Sequence, residues 1–358
     1  MKPRMNVYLT TAKRVLIYAY PMINSLFEEN QDSEVYLYLV SEDLEETDIQ
    51  EEKRLADSYS AHITILHFDE KMAKGKIISA SEHWPLGTLS CYWIFHELLP
   101  TEVDRILALE SDAIVTGSLR EFYDIDLKGC YAACPDPGHK PLSHRMLMEQ
   151  LEGDVLTFVV SVYDVKAIRQ DFSLEQILYV DGFVVKEFGH SQQELTFGIL
   201  FKDRIKFLPA GNLCVEENRQ SMEAMGIDYL MECEKKCKVL HFSSTKAKEK
   251  PWNPVYVMPG YSKWWQYANE SPYYREYFQG QWDIEKKKEE EIENLKKNIT
   301  WKKVLLTILI IYMSLLIGAI IILKQPFFWL AIVFGALVLA IGIAVLVRKA
   351  FILIGNKL

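Results

Sequence analysis

The 358-residue sequence is longer than one typical domain and predicts two or three structural units. Lys and Arg number 40 against 49 Asp and Glu, and a net charge of −9 lacks the basic footprint expected of a nucleic-acid-binding protein. Hydrophobic residues make up 49% of the chain and are concentrated toward its carboxyl end, which is unusual for a purely globular protein.

The first part of the chain alternates strand-like and helix-like patterns. Short apolar or alternating runs predict strands at 6–9, 35–40, 62–68 and 105–109. Helical spacing predicts helices at 22–29, 45–59 and 89–99, and Pro21 is expected to break the apolar run in which it lies. Strands that alternate with helices predict an α/β layered domain. The N-terminal segment lacks a signal-peptide core, so we expect the large domain to be cytoplasmic.

Further strands are predicted at 201–208 and 238–242, and an aromatic-rich helix at 263–278. The globular domain is therefore assigned to 1–281. Residues 282–303 form a charged run with Glu and Lys three and four positions apart, which is typical of an exposed helical stalk.

Six cysteines in a reducing compartment are expected to be free thiols. Cys130 and Cys134 repeat the C-x-x-x-C spacing of Cys233 and Cys237, and this spacing is looser than that of zinc knuckles. Buried thiols are favoured over zinc ligands.

Two uncharged segments near the carboxyl end predict a transmembrane helical hairpin over 304–347. Each segment, 304–323 and 327–347, is long enough as a helix to cross a hydrocarbon core of about 30 Å. Lys and Arg flank the outer ends of the pair, which predicts that both ends, including the tail 348–358, face the cytoplasm. Small residues at Ala336, Ala340 and Ala344 suit close helix contact, within the hairpin or in a homo-oligomer.

Two acidic residues, Glu110 and Asp112, follow the predicted strand 105–109. Residues i and i+2 of an extended chain share a face, so both carboxylates can point into the crevice at the carboxyl end of the sheet. Such oxygens suit Mg²⁺ or Mn²⁺, which could bridge a diphosphate leaving group. Taken alone, the pair fits two solvated turn residues better than a metal site.

The segment 107–129, LALESDAIVTGSLREFYDIDLKG, resembles the metal-site segment of glycosyltransferase family 8. Segments 5–30, 81–85, 97–100 and 201–209 resemble other parts of that family in the same order, as do His241-Phe242 with Lys250-Pro251-Trp252 and the helix from Lys263. The resemblance covers roughly residues 5 to 278. It implies the GT-A fold, a Rossmann-like nucleotide-sugar domain, and retaining transfer of a hexose, glucose or galactose, from a UDP-sugar.

The resemblance also implies site residues and ligands. Glu110, Asp112 and His241 would bind Mn²⁺ or Mg²⁺, and Lys250 would hold the diphosphate of the UDP-sugar. The other implied residues are Thr10, Thr11, Ser111 and Thr157 around the donor and Gln193 and Glu194 near the anomeric centre. The implied acceptor is a saccharide or a lipid-linked glycan of the cell envelope.

Several positions depart from the family pattern on the donor side. Glu110 replaces the first Asp, Ser90-Cys91-Tyr92 replaces Tyr-x-Arg, and Gln193-Glu194-Leu195 replaces Asp-Gln-Asp. Thr157-Phe158-Val159 replaces Asn-Ser-Gly, which predicts a narrowed donor pocket, and three extra residues lie between His241 and Lys250.

Two functions remain open at this stage. The first is a membrane-anchored hexosyltransferase acting at the cytoplasmic face of the cell membrane. The second is a catalytically inactive relative that serves as a scaffold or binding protein in an envelope-glycan assembly.

Overall fold

The computed structural model describes residues 2–73, 86–136, 154–216, 223, 225–243, 249–253, 257–277, 279 and 286–296, and beyond them only the single positions 303, 306, 310, 313, 314, 332 and 335. The chain divides into two compact units, Met1–Gln281 and Trp282–Leu358.

The first unit is an α/β domain, as the alternating pattern predicts. Its strands are β1 Arg4–Thr10, β2 Glu34–Ser41, β3 His62–His67, β4 Arg105–Leu109, β5 Ala113–Val115, β6 Ala132–Pro135, β7 Val160–Asp164, β8 Ile205–Leu208, β9 Cys214–Glu216 and β10 Val239–His241. Its helices are α1 Lys13–Glu29, α2 Glu46–Ser58, α3 Glu70–Ala73, α4 Arg120–Tyr123, α5 Val165–Asp171, α6 Leu174–Phe188, α7 Gln193–Leu200, α8 Ala210–Leu213, α9 Ile227–Glu234 and α10 Tyr261–Ala268.

Seven strands form the main sheet in the order β3-β2-β1-β4-β7-β6-β8. Strands β1 to β4 are parallel. The near-continuous apolar sequences of β1, β2 and β4 fit a sheet that is covered on both faces, whereas β3 is a partly exposed edge strand. Leu9 of β1 is in register with Leu109 of β4, so Thr10 and Glu110 emerge at the same edge, where parallel strands present their carboxyl ends.

A second sheet of three strands, in the order β5-β10-β9, brings distant parts of the chain together. Strand β10 is antiparallel to β5, and His241 is paired with Ala113. This register places residue 241 beside the turn that connects β4 to β5. The small sheet therefore determines which side chains meet Glu110 and Asp112.

The expectation that Pro21 ends its apolar run is wrong, because Pro21 lies inside α1. A proline lacks the N–H that would bond the carbonyl four residues earlier, which here belongs to Ile17. The hydroxyl of Tyr277 donates a hydrogen bond to that carbonyl. A residue far away in sequence thus satisfies the acceptor that the proline leaves free, and the helix continues.

The helix predicted at 89–99 is instead a 3₁₀ helix, Leu86–Tyr92, followed by a π-helical turn, Ile94–Leu98. The guanidinium of Arg169 donates to the carbonyls of Phe95, Leu99 and Val103, so tertiary contacts satisfy backbone groups around this segment.

Two other predicted elements are shorter than expected. The strand predicted at 201–208 is Ile205–Leu208, because Phe201 closes α7 through an N–H bond to the Phe197 carbonyl. The helix predicted at 263–278 is Tyr261–Ala268 and ends in turns stabilised by Ser271.

All six cysteines are free thiols, as predicted, and five of them are buried. Cys130 is partly exposed.

Of the second unit, residues 286–296 are helical, with Ile292 and Leu295 each about half exposed. The predicted spans 304–323 and 327–347 and the tail 348–358 lie outside the described residues apart from the single positions given above. Among the residues that are described, no helix combines the length and the apolarity needed to cross a membrane.

Candidate metal and donor site

Two acidic side chains emerge from the turn between β4 and β5. The N–H of Glu110 donates to the carbonyl of Val159 at 3.2 Å, and the carbonyl of Asp112 accepts the N–H of Phe242 at 2.9 Å. Because backbone bonds hold both residues, the positions of their carboxylates are set by the two sheets rather than by a free loop.

His241 joins these carboxylates from the end of β10. Its Nε2 lies 3.0 Å from Oε2 of Glu110 and 3.3 Å from Oδ1 of Asp112. One ligand atom from each of the three residues lies within 4.8 Å of the other two. Residues 130 positions apart thus converge on a volume that one cation could fill.

Lys250 completes the cluster. Its Nζ lies 2.5 Å from Oδ2 of Asp112 and 2.5 Å from the Phe242 carbonyl. The preceding backbone is held by Tyr261, whose hydroxyl donates to the carbonyl of Glu249. The connection between His241 and Lys250 is three residues longer than in the family pattern, and its residues 244–248 lie outside the described residues. Both side chains nevertheless reach Asp112.

The charges of the cluster are strongly coupled. Burial disfavours a protonated imidazole, but the attraction of Asp112 and hydrogen bonds to both carboxylates outweigh burial and raise the pKa of His241 to about 10. Burial likewise disfavours the ionised form of Asp112, yet the charges of Lys250 and His241 outweigh it and hold the pKa of Asp112 well below its usual range. In the absence of metal, the His241 proton therefore neutralises part of the carboxylate charge.

The donor set fits a divalent cation. Two carboxylates and one imidazole match the ligand preference of Mn²⁺, and a metal ion that binds here would replace the imidazole proton. Nδ1 of His241 is buried and has no hydrogen-bond partner within the described ranges, so β10 and the carboxylates orient the ring. A dication would balance Glu110 and Asp112 and leave the charge of Lys250 available to an anion.

Thr10 and Thr11 lie at the end of β1, at the same sheet edge. Thr10 donates to the Tyr8 hydroxyl at 2.8 Å, and Tyr8 is 2.9 Å from the Ser90 hydroxyl. Thr11 is 1% exposed, and its hydroxyl has no partner in the part of the chain that is described. The hydroxyls of Thr10, Tyr8 and Ser90 thus connect the end of β1 to the 3₁₀ helix.

Ser111 lies between the two acids and is partly exposed. Thr157 is buried on the approach to β7; its carbonyl accepts the Ser161 hydroxyl, and its own hydroxyl is unpartnered among the described residues. Gln193 and Glu194 form the first turn of α7 and are partly buried. Neither is among the three residues whose ligand atoms converge.

In the altered segment Thr157-Phe158-Val159, the Phe158 ring packs into the core, whereas the predicted narrowing of the donor pocket depends on Val159 in place of Gly and stays a prediction. Phe158 is 6% exposed, and its ring stacks on Phe197 with centroids 6.2 Å apart. It belongs to the apolar core that also contains Tyr163.

Asp181, which is fully buried in α6, is absent from the residues that the sequence predicts for the site. It accepts a hydrogen bond at 2.7 Å from Tyr92, the residue that stands where the family pattern has Arg. A single acid on the apolar face of the helix LEQILYVDGFVVKEF is the signal that could have revealed it.

The sequence and the fold both match known proteins. The model of the family "Glycosyl transferase family 8" matches residues 6–255. The chain belongs to glycosyl transferase family 8. A solved structure of the galactosyltransferase LgtC, in complex with donor and acceptor sugar analogs, has a similar fold. The TM-score is 0.61 at 14% identity, and the match covers 76% of this chain and 100% of that one. The prediction of an α/β fold of the GT-A type is thus confirmed.

Two curated proteins are similar in sequence. The lipopolysaccharide 1,2-glucosyltransferase of Escherichia coli is 22% identical over 217 residues, which cover 58% of this chain and 61% of that protein. Glycosyltransferase GlyF of Streptococcus pneumoniae serotype 4 (strain ATCC BAA-334 / TIGR4) is 23% identical over 271 residues, which cover 74% of this chain and 62% of that protein. The matches thus span about three fifths of the length of these curated relatives.

Proposed function

We propose that the protein is a metal-assisted hexosyltransferase that transfers glucose or galactose from a UDP-sugar, with retention of anomeric configuration, to a cell-envelope glycan or lipid-linked acceptor. The observation that carries this proposal is the convergence of Glu110, Asp112 and His241 within 4.8 Å at the carboxyl edge of the sheet. The family membership and the name of the E. coli relative support a hexose donor and an envelope acceptor.

The roles follow from the geometry. Glu110, Asp112 and His241 would hold Mn²⁺ or Mg²⁺, which when bound offsets the negative charge that develops on a departing diphosphate. The ammonium group of Lys250 lies next to Asp112 and would bind the same diphosphate as a point charge. In this proposal, Thr10, Thr11, Ser111 and Thr157 would lie around the donor, and Gln193 and Glu194 would lie near the anomeric carbon.

We also propose that residues 304–323 and 327–347 anchor the protein in the cell membrane, with the catalytic domain on the cytoplasmic side. The support is sequence alone: two uncharged runs of spanning length flanked by Lys and Arg. Such an anchor would keep the enzyme near a lipid-linked acceptor and raise its effective concentration there.

Isothermal titration calorimetry of the full chain with UDP, UDP-glucose and UDP-galactose, with and without Mn²⁺, tests the proposal. We expect UDP-sugar binding that requires the metal. A control with Asp57→Ala, a change of an exposed acid near the end of α2, separates a specific effect from a general loss of negative charge.

The alternative is a scaffold protein without activity. The observation that favours it is the absence of a cation at residue 92, where the Tyr92 hydroxyl is turned to Asp181. A folded sample that binds neither metal nor nucleotide in the titration would support the scaffold and contradict the transferase.

A further inference from the structure

Asp181 is a buried carboxylate that joins three parts of the domain. Its Oδ1 accepts hydrogen bonds from Tyr92 at 2.7 Å and from Thr196 at 2.9 Å, and its Oδ2 accepts one from Ser191 at 2.6 Å. Tyr92 ends the 3₁₀ helix, Ser191 lies in the connection after α6, and Thr196 is in the first half of α7. The Asp181 side chain thus connects α6 to the beginning of α7 and to the end of the 3₁₀ helix.

Such an arrangement is not explained by stability alone. Transfer of a carboxylate into the interior is costly, and burial raises the pKa of Asp181 even though Ser191, Tyr92 and Thr196 hydrogen-bond to it. Apolar side chains at buried polar sites often give equal or greater stability. A fully hydrogen-bonded carboxylate instead gives directional contacts that fix one arrangement of its partners.

Helix α7, which contains Thr196, is connected to the metal cluster by the backbone segment 156–159. At one end of this segment, the N–H of Leu156 donates to the carbonyl of Glu194 at 3.2 Å. At the other end, the carbonyl of Val159 accepts the N–H of Glu110 at 3.2 Å. Four residues span at most about 14 Å. The carbonyl of Glu194 and the N–H of Glu110 are therefore at most about 20 Å apart, which places the first turn of α7 and the metal ligands in the same part of the domain.

We propose that Asp181 is a positioning residue that orients the first turn of α7, with Gln193 and Glu194, toward the donor cleft. This inference rests on the proposed function, because the donor is what that turn would face. Asp181 does not itself touch the reacting atoms in this proposal; it acts through Thr196 and Ser191.

The test compares Asp181→Ala, Asp181→Asn and Tyr92→Phe with Asp164→Ala. The control residue Asp164 accepts the N–H of Ala167 at 2.8 Å at the start of α5, so its loss removes a helix cap of the same domain outside this network. Hydrogen exchange of the full chain is followed by mass spectrometry in peptides that cover 154–159 and 189–197. UDP release from UDP-glucose and from UDP-galactose is followed with Mn²⁺ and water as the acceptor.

In Asp181→Ala we expect faster exchange in these two peptides and unchanged exchange in β1 and β4. We expect kcat to fall about 10- to 100-fold with little change in KM, because a catalytic group displaced by about 1 Å loses rate rather than binding. Asp181→Asn is expected to stay within about threefold of wild type, since its amide oxygen accepts from the same hydroxyls and its NH₂ can donate to Ser191. Tyr92→Phe keeps two of the three bonds and should be intermediate.

Unchanged exchange in both peptides of Asp181→Ala would overturn the proposal. Faster exchange throughout Met1–Gln281, or an equal effect of Asp164→Ala on the two peptides, would also overturn it by showing a general structural role. If Asp181→Ala does not fold, Tyr92→Phe decides by the same criteria. If the wild-type chain releases no UDP, the proposed function fails, whereas the exchange measurement still decides whether Asp181 orders α7.

Discussion

Replacing Glu52 by Gln should change the pH dependence of stability. Glu52 is on the inner face of α2 and is 0% exposed, and neither carboxyl oxygen has a hydrogen-bond partner within the described part of the chain. Burial, and after it the charges of Glu51 and Asp48, raises the pKa of Glu52 from its ordinary 4.5 to about 8.

The sign follows from proton linkage. Between pH 4.5 and 8 the folded state keeps the Glu52 proton while the unfolded state has lost it, so the free energy of unfolding falls as pH rises through this window. One pKa unit corresponds to about 1.4 kcal/mol, which gives a loss of roughly 3 kcal/mol between pH 5 and pH 8. The Glu52→Gln variant has no ionisable group at this position, so its free energy of unfolding does not fall in this way.

Urea denaturation of the full chain at pH 5, 6, 7 and 8, monitored by tryptophan fluorescence, measures this effect. The stability difference between Glu52→Gln and wild type should grow by roughly 3 kcal/mol over this range, whatever constant offset the amide introduces. Glu46→Gln, an exposed change on the same helix, serves as the control for replacing a carboxylate by an amide. Parallel pH profiles for Glu52→Gln and wild type would refute the assignment of a buried, protonated carboxyl.

Other changes test the site and the fold. Asp112→Ala and His241→Ala should each abolish Mn²⁺-dependent UDP binding in calorimetry, and equal UDP affinity in wild type and both variants would contradict the metal assignment. Lys250→Gln should weaken UDP binding by about tenfold, because the amide removes a positive charge. Direct titration with Mn²⁺ should still detect the metal, since no metal ligand is lost. UDP affinity equal to that of wild type would exclude a contact between Lys250 and the diphosphate. Tyr277→Phe should lower the free energy of unfolding by about 1 kcal/mol, because it removes the hydrogen bond to the partly buried carbonyl of Ile17. A urea midpoint equal to that of wild type would show that another group bonds this carbonyl.

Local patterns predict much of the main sheet. Strands β1 to β4 are apolar runs bounded by polar segments, and the i, i+2 spacing of Glu110 and Asp112 anticipates that both emerge at the end of β4. These features depend on neighbours in sequence. Periodicity therefore detects them without knowledge of the tertiary structure.

The features that escape prediction depend on distant contacts. Helix α1 continues through Pro21 because Tyr277 bonds the carbonyl that the proline leaves free, and no local pattern shows this. The inward direction of Phe158 depends on Phe197 in the core. In the same way, the helix pattern indicates that Asp181 is a buried acid, but its three hydroxyl partners come from separate parts of the chain and no local pattern shows them.

The burial of the charged cluster bears on the choice between an enzyme and a scaffold. The side chains of Asp112, His241 and Lys250 are 21%, 7% and 11% exposed, so three ionisable groups are held largely out of water. Well-packed apolar residues at such positions are often as stable or more stable, so stability of the frame gives no reason for this cluster. A scaffold that binds partners through its outer surface would have no use for it either. Binding of a cation and a diphosphate does require it, since both need charges placed in advance in a site with little water.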